Sequence, residues 1–491
     1  MDSSHGVDEL ATLLGGWSGG DGPLYRKLAR ALRRTVEGGT LAVGERLPSE
    51  RLLAAALAVS RTTVVAAYDE LRAEGVLDSR RGSGTRVNPA LAPVRSDGWV
   101  PGGRSRPIYQ RLIDGPSELI SLSCVTAEGL PEVAEAVRDV AAEELPALMA
   151  EAGYHPRGLP ALRAAIADHH TRRGLPTRPE EIVVTTGAQQ AVALVSGLYL
   201  RNGSPVLVES PSFAGCLDLL RATGADLLTA PLDFEGVDPV AVREALRERG
   251  PHLLYVMPSY HNPTGVMMSA ARRREIAGLA ARYGVPVLED SAYTGMRAPD
   301  EPGPMAAFAP PEAEVVTVES LAKVGWAGLR IGWLRAPAEI AERISRRKAL
   351  TDLGSPLLDQ AVAARLIPRL DGLALTRSRM LGERLALLEE RLREALPSWT
   401  WRRPDGGSAL WVRLPGTSAQ VFAQIALRHG VEIVPGSVMA PGDGETYREF
   451  FRLPFGFGPQ VLEELVRRLA RAWTELRRHG PCEEAPLRVV V

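Results

Sequence analysis

The sequence predicts a multi-domain chain: a small helical unit closed by a β-hairpin, an extended connection, a large α/β domain and a smaller α+β domain. Three observations carry that reading. Two short Ser-capped helices meet at a tight turn between residues 49 and 74 and lead into the Gly-rich stretch DSRRGSGTRV. From about residue 118, short apolar runs alternate with helical stretches, the pattern of a mainly parallel sheet covered on both faces. Beyond about residue 356 the pattern becomes long helices with a few short strands. A chain of 491 residues also exceeds the roughly 250–300 residues at which single cores stop growing.

Composition narrows the class. Hydrophobic residues make up 45% and charged residues 24%, the balance of a globular chain rather than a disordered one. No run approaches the ~18 apolar residues that a bilayer span needs. The start, MDSSHGVDEL, lacks the basic-then-apolar pattern of a secretory leader. Cys124, Cys216 and Cys482 are few, odd in number and widely spaced, offering neither a disulfide framework nor metal-ligand spacing. A cytoplasmic protein without a metal is expected. The net charge of −1 gives no hint of a nucleic-acid partner, so that case rests on local features.

In the N-terminal unit, residues 20–88, Leu24, Leu28, Leu32 and Val36 recur at i, i+4 and give one apolar helix face with arginines on the other. Ser49 caps a helix to about Leu57, Ala58-Val59 turns tightly, and Ser60 caps a second helix to about Glu74. Two short helices joined this way form a helix-turn-helix, whose second helix can enter the major groove of duplex DNA. Arg61, Thr62 and Thr63 fall in its first turn, where side chains reach base edges and backbone amides favour phosphate. The hairpin that follows holds Arg80, Arg81 and Arg86 around Gly82 and Gly84, and reads as a wing that grips the DNA backbone. Residues 21–88 carry 12 Lys/Arg against 8 Asp/Glu, a modest excess whose arginines sit where the motif needs them. The plainer alternative is a helical interaction domain with a solvated basic face. The run from Leu47 to Val87 resembles a GntR-type winged helix. That resemblance implies DNA contacts at Arg51, Arg61, Thr62, Thr63 and Gly82, and Ser60 and Arg81 beside them are expected to contact DNA as well. Val65 stands where some relatives carry a DNA-contacting arginine, so an operator preference does not transfer.

Residues 89–117 contain five prolines, several glycines and little periodicity, and read as a linker averaging roughly 30 Å end to end as a flexible coil. Residues 118–480 then divide into a large part, about 118–355, and a small part, about 356–480. Expected strands are 181–187, 205–210, 252–259, 285–290, 314–320 and 329–336. Expected helices include 188–200, 212–223, 269–282, 376–395, 417–429 and 459–478.

Several short motifs in this region have complementary chemistry. In SLAK, Lys323 follows an apolar strand and can form a Schiff base with an aldehyde. Asp290 ends the strand of LEDSAY, where a buried carboxylate calls for a cationic partner such as a protonated ring nitrogen. Tyr293 and Asn262, the latter in HNPTG, can hydrogen-bond a phenolic oxygen. TTGAQQ turns from strand to helix and offers the amides of Gly187, Ala188 and Gln189 to a phosphate, with Ser320 and Arg330 adding a hydroxyl and a guanidinium. Phe213 can stack on a ring, though an ordinary core aromatic is nearly as good a reading. Arg452, in FFRLPFG, suits a substrate or effector carboxylate. Aldehyde, ring nitrogen, phenolic oxygen and phosphate together describe pyridoxal 5′-phosphate (PLP).

GYHPRGLPALRAAIA, TTGAQQA, HNPTG, EDSAY and SLAK, in that order, resemble the landmarks of fold-type I aminotransferases from about residue 120 to 480. The likeness implies the α/β PLP-dependent transferase fold and a homodimer in which Tyr154 reaches the neighbouring subunit's cofactor. A GntR-like winged helix ahead of such a domain is the layout of MocR/GabR-type transcription regulators. That layout implies a ligand-responsive DNA-binding protein that senses PLP, or an amino compound that displaces Lys323 from it. A working class I/II aminotransferase with an attached DNA-binding segment is the alternative, and a purely dimerising role for the large domain is a third. EDSAYTG and AKVGW stand where many of these regulators have EDDYDSE and SKT, which brings this chain nearer to true aminotransferases.

Overall fold

The computed structural model describes residues 6–19, 22–37, 40–80, 84–88, 98–115, 117–123, 128–293 and 301–479. In the N-terminal unit, helices Leu24–Glu37, Glu50–Ala56 and Arg61–Ala73 precede an antiparallel hairpin of Leu77–Arg80 and Gly84–Val87. Leu28, Leu32 and Val36 are buried as their spacing predicts. Leu24 is 43% exposed, because it begins its helix at the edge of the core. Ser49 and Ser60 cap the two helices of the pair, and Ala58 makes the turn between them in the left-handed region, at φ 52°. The wing tip, with Arg81 and Gly82, lies outside the described residues.

Two helices lie in stretches where the sequence reading placed no folded element. Val7–Leu14 places Leu10, Ala11 and Leu14, followed by Trp17, in the same apolar cluster as Leu28, Leu53 and Leu71, so this unit begins before residue 20. Within the stretch read as a linker, Arg106–Asp114 forms a helix that ends at Gly115. Pro107 does not oppose it, because a helix tolerates proline in its first turn, where the missing N–H would have no partner anyway.

The large part is built on an eight-stranded sheet. Named by first residue, its strands run Ile182, Gly332, Val315, Val287, Leu253, Pro205, Asp226, Gly236. The five central strands are parallel, Gly332–Arg335 lies antiparallel to both its neighbours, and Gly236–Val237 closes a short edge hairpin. The expected strands are all present, Pro205–Ser210 at full length and the others trimmed at their ends. Asp226–Asp233 was missed because it lies towards the sheet edge, with Ala230 alone in it fully buried, and so lacks a buried apolar run. Apolar clusters on the two sides of the sheet hold Val192, Leu217 and Ile344, and Val242, Ile276 and Leu279.

The small part has an antiparallel sheet of Thr400–Trp401, Ala409–Arg413, Phe450–Pro454 and Val434–Pro435. Helices Leu370–Ala395, Ala419–Arg428 and Pro459–His479 belong to the same part. Trp399 lies edge-on to Phe422, Phe451 and Trp473, with ring centroids 5.4–5.6 Å away. The N-terminal unit sits against this part. Trp17 Nε1 donates to Gln424 Oε1 at 3.2 Å, and the Arg428 guanidinium donates to the Ala58 carbonyl at 3.4 Å. No helix of the described residues is long and apolar enough to cross a membrane.

Candidate functional site

The first candidate surface is the start of helix Arg61–Ala73. Val64, Ala67, Tyr68 and Leu71 face the core, and the Tyr68 hydroxyl donates to the Pro48 carbonyl at 3.0 Å. That inward face turns the first turn outward. Ser60 Oγ accepts from the Thr63 amide at 3.2 Å and lies 2.7 and 2.8 Å from the Thr62 and Thr63 hydroxyls. Arg51, Ser60, Arg61 and Thr62 are exposed, while Thr63 and Val65 are half-buried. Ser60, Arg61 and Thr62 thus stand together and accessible at the start of this helix, Arg51 is exposed on the preceding one, and Arg81 and Gly82 lie outside the described residues.

The second candidate is a chamber of about 290 Å³ at the carboxyl ends of the parallel strands, the usual ligand crevice of an open α/β sheet. Gly187, Ala188, Gln189, Phe213, Asn262, Asp290, Tyr293, Ser320, Lys323, Arg330 and Arg452 all line it. Residues far apart in the chain are thus brought together by strand order. Tyr154 is the exception. It is 70% exposed and does not line this chamber.

Asp290 lies at the end of strand Val287–Asp290 and is buried, with 7% of its surface exposed. Its Oδ2 accepts from the Tyr255 hydroxyl at 2.8 Å and from Cys216 Sγ at 3.6 Å, and its Oδ1 accepts from the Ala292 amide at 3.1 Å. Burial pushes this carboxyl above its ordinary value, against those hydrogen bonds and the Lys323 ammonium. A cationic group in the chamber is the partner it fits. Lys323 follows strand Val315–Ser320 on a single π-helical turn, Ala322–Trp326, with its Nζ 5.3 Å from the centre of the Tyr293 ring.

Gly187 makes the turn into helix Ala188–Tyr199 at φ 84° and ψ 169°, a conformation essentially closed to other residues. The first amides of that helix have no partner within it, which makes the turn a ready anion site. Arg330 crosses it, donating through Nη2 to the Thr186 carbonyl at 3.1 Å. Its own backbone is left-handed, at φ 51°, an uncommon state for a non-glycine residue. Ser320 Oγ donates to the Ile331 carbonyl at 3.2 Å and accepts from the Ala322 amide, so its proton is already committed within the chain. At the other side of the chamber Arg452 is 1% exposed. Its Nη2 donates to the Leu122 and Ser123 carbonyls at 3.2 and 2.6 Å, and its Nη1 lies 3.4 Å from Asn262 Oδ1.

Sequence reasoning missed several lining residues. Tyr109, with Ile108 and Leu112, comes from the helix inside the supposed linker; the i, i+4 pair Ile108/Leu112 was the available signal. Tyr255 and Cys216 stood in apolar runs that read as core, and only the sheet register sets Tyr255 against Leu288, two residues before Asp290. Among the described residues no group of three or more His, Cys, Asp or Glu is placed to hold a metal ion.

Comparison with known proteins gives the same two-part picture. The family of class I and II aminotransferases matches residues 125–469, and the gntR family of bacterial regulatory proteins matches residues 24–87. The chain is 31% identical over 473 residues to the uncharacterized HTH-type transcriptional regulator YisV of Bacillus subtilis (strain 168), covering 91% of this chain and 97% of that protein. It is 28% identical over 489 residues to the probable rhizopine catabolism regulatory protein MocR of Rhizobium meliloti, covering 94% and 96%. Among solved structures it is similar to LysN, the alpha-aminoadipate aminotransferase of Thermus thermophilus, complexed with N-(5′-phosphopyridoxyl)-L-leucine. That match has a TM-score of 0.66 and 29% identity, over 77% of this chain and 98% of that one. The chain belongs to the class I and II aminotransferase family through its larger part and, over nearly its whole length, to the MocR-type regulators that join a gntR-type helix-turn-helix to that domain.

Proposed function

We propose that this protein is a PLP-dependent transcription regulator whose chamber senses PLP or an amino compound and whose N-terminal unit binds duplex DNA accordingly. The carrying observation is the contact between the two parts. Arg428, on a helix of the small part and paired with Glu475 at 3.2 Å, holds the carbonyl of Ala58, the residue that turns the chain into helix Arg61–Ala73. A rearrangement of the small part on ligand binding would therefore bear directly on the turn that aims the DNA-contacting residues.

The lining residues fit PLP. The amides after Gly187 and the Arg330 guanidinium would hold its phosphate, and Phe213 would stack on its ring. Asp290 would pair with the ring nitrogen, and Asn262 and Tyr293 would hydrogen-bond the phenolic oxygen. PLP supplies an aldehyde that condenses reversibly with amines, so an effector amine competes with Lys323 for it. Arg452, held between two carbonyls, orients the effector's carboxylate. A ligand that favours one arrangement of the small part over another shifts the population between them.

The partner in this reading is a homodimer on a DNA operator with two half-sites. Exposed Tyr154, Leu350 and Leu353 support the dimer; a side chain added at Gly354 would meet the His155 backbone, so these residues are neighbours on the surface. A second reading, a working aminotransferase, is favoured by the presence of Lys323, Asp290 and Arg452 together in one chamber. An absorption spectrum of the PLP-loaded protein, titrated with amino acids and amines, separates the two. A stable spectral shift with a change in affinity for a duplex selected from a random pool supports the regulator. Rapid conversion to pyridoxamine phosphate, reversed by an oxo acid and without effect on DNA affinity, supports the enzyme.

A further inference from the structure

A loop of the small part bears on the chamber residues assigned to the phenolic oxygen. This loop, residues 402–408, joins strand Thr400–Trp401 to strand Ala409–Arg413. The Asp405 amide donates to the Gly265 carbonyl at 3.0 Å, and the Asp405 carboxylate accepts from the Met267 amide at 3.0 Å. A side chain added at Gly265 would run into Pro404, and one added at Gly406 into the Tyr260 ring. The loop is thus seated on the turn that carries HNPTG. At its end Ser408 is buried, and its hydroxyl donates to the Tyr293 hydroxyl at 3.4 Å.

Tyr260 stands where loop and turn meet. Its backbone is left-handed, at φ 52°, an outlying state for a bulky residue that persists only where the surrounding packing over-determines it. Its buried ring lies against Gly406 and borders the chamber, with its hydroxyl 3.5 Å from Glu301 Oε2. The next residue, His261, points into the interior, 3.5 Å from Glu209, and Asn262 faces the chamber with its Oδ1 towards Arg452. Relaxing Tyr260 to an extended backbone would rotate this turn and carry Asn262 away from the chamber. The packing of Gly406 on Tyr260 therefore fixes where the Asn262 amide points. The same sheet reaches the other side of the chamber, because Ala409–Arg413 pairs with Phe450–Pro454 and sets Trp411 opposite Arg452. One sheet of the small part thus carries the residue assigned to the effector's carboxylate and the loop that bears on both residues assigned to the phenolic oxygen.

We propose that Tyr260 and Ser408 are positioning residues, through which the small part sets the hydrogen bonds of Asn262 and Tyr293 to the phenolic oxygen. This rests on the functional reading above. Hydrogen bonds donated to that oxygen favour its charged form, so they hold down the pH at which the bound cofactor's absorption band changes. The test follows that midpoint in the PLP-loaded protein. Tyr260→Ala is expected to raise it by about 0.5 pH unit or more, while Tyr260→Phe, which keeps the ring against Gly406, stays within about 0.2 of wild type. In the Asn262→Ala background Tyr260→Ala is expected to add no further shift, because both changes act on the same bond. Ser408→Ala removes one hydroxyl and little packing, and is expected to move the midpoint in the same direction by less; it decides alone if Tyr260→Ala does not fold. A purely structural role would lower the melting temperature of Tyr260→Ala and leave the midpoint in place. A midpoint unmoved by Tyr260→Ala and Ser408→Ala with the band intact, or one moved as far by Tyr260→Phe, overturns the positioning role while the functional reading stands. Failure of the wild-type protein to give any band with PLP overturns the functional reading, and this inference with it.

Discussion

Replacing Gly187 by alanine separates the two things its turn does. At φ 84° and ψ 169° the backbone there costs a residue with a Cβ about 1–3 kcal/mol. The added methyl would also stand 2.9 Å from Arg330 Nη2, closer than real contacts allow, so the guanidinium must move. Strain is carried by the cofactor-free and the cofactor-bound protein alike, so it lowers stability without changing affinity. Displacing Arg330 acts on affinity alone, through a charge-assisted hydrogen bond to the phosphate worth about 1.5–3 kcal/mol, or roughly 10- to 150-fold in Kd. Gly187→Ala is therefore expected to melt several degrees lower without cofactor and to bind PLP roughly 10- to 150-fold more weakly. The affinity is read by titrating the cofactor-free protein with PLP and following its absorption band. Arg330→Ala should reproduce the loss of affinity with a smaller loss of stability, limited to its exposed hydrogen bond to the Thr186 carbonyl. If Gly187→Ala lowers the melting temperature but leaves PLP affinity within threefold of wild type, the phosphate does not lie on this turn beside Arg330.

Three further outcomes test other parts of the molecule. Arg61→Ala removes an exposed guanidinium from the first turn of helix Arg61–Ala73. It should weaken binding to a selected duplex by about 1–3 kcal/mol, roughly 5- to 150-fold, with the cofactor spectrum intact; unchanged DNA affinity would remove this helix from the interface. Lys323→Ala should abolish the covalent fixing of PLP by borohydride, and continued fixing would mean that another lysine holds the aldehyde. The third concerns pH. Burial pushes Glu209 up from 4.5 to about 8, against a hydrogen bond from the Met257 amide. A carboxyl whose folded value is raised gives its full stability below pH 4.5 and loses it as pH rises towards 8, by up to about 1.4 kcal/mol per pH unit. His261, 3.5 Å from Glu209, is pushed down to about 3 by burial and stays neutral across that range. The melting temperature of cofactor-free Glu209→Gln relative to wild type should therefore climb from about pH 5 to pH 8, and a flat difference would show that Glu209 does not titrate in the fold.

What could be read from the sequence followed the reach of each signal. Ser49 and Ser60 cap their helices through bonds to amides three residues on, so the helix-turn-helix was written in adjacent letters. Asp290, Asn262, Lys323 and Arg330 were equally legible, because each ends a strand or opens a turn in a short motif whose chemistry can be named without knowing the neighbours. The rest of the site depends on pairing that no local pattern states. Tyr255 looks like core in LLYVMP, and becomes a donor to Asp290 only because Leu253–Val256 lies beside Val287–Asp290 in one register. Cys216 needs a helix on the right face of that sheet to come within 3.6 Å of the same carboxylate. Tyr109 was hidden for a different reason: five prolines and several glycines outweighed an i, i+4 apolar pair, although Pro107 sits where a helix accepts it. That misreading matters chemically. A flexible linker could set no boundary to the chamber, whereas a helix pinned by Asp218 and Gln189 gives the chamber a fixed apolar wall whose side chains are free to differ from those of an enzyme that shares every PLP-binding motif. The motifs therefore identify the cofactor, and helix Arg106–Asp114 adds to the chamber a wall that they do not cover.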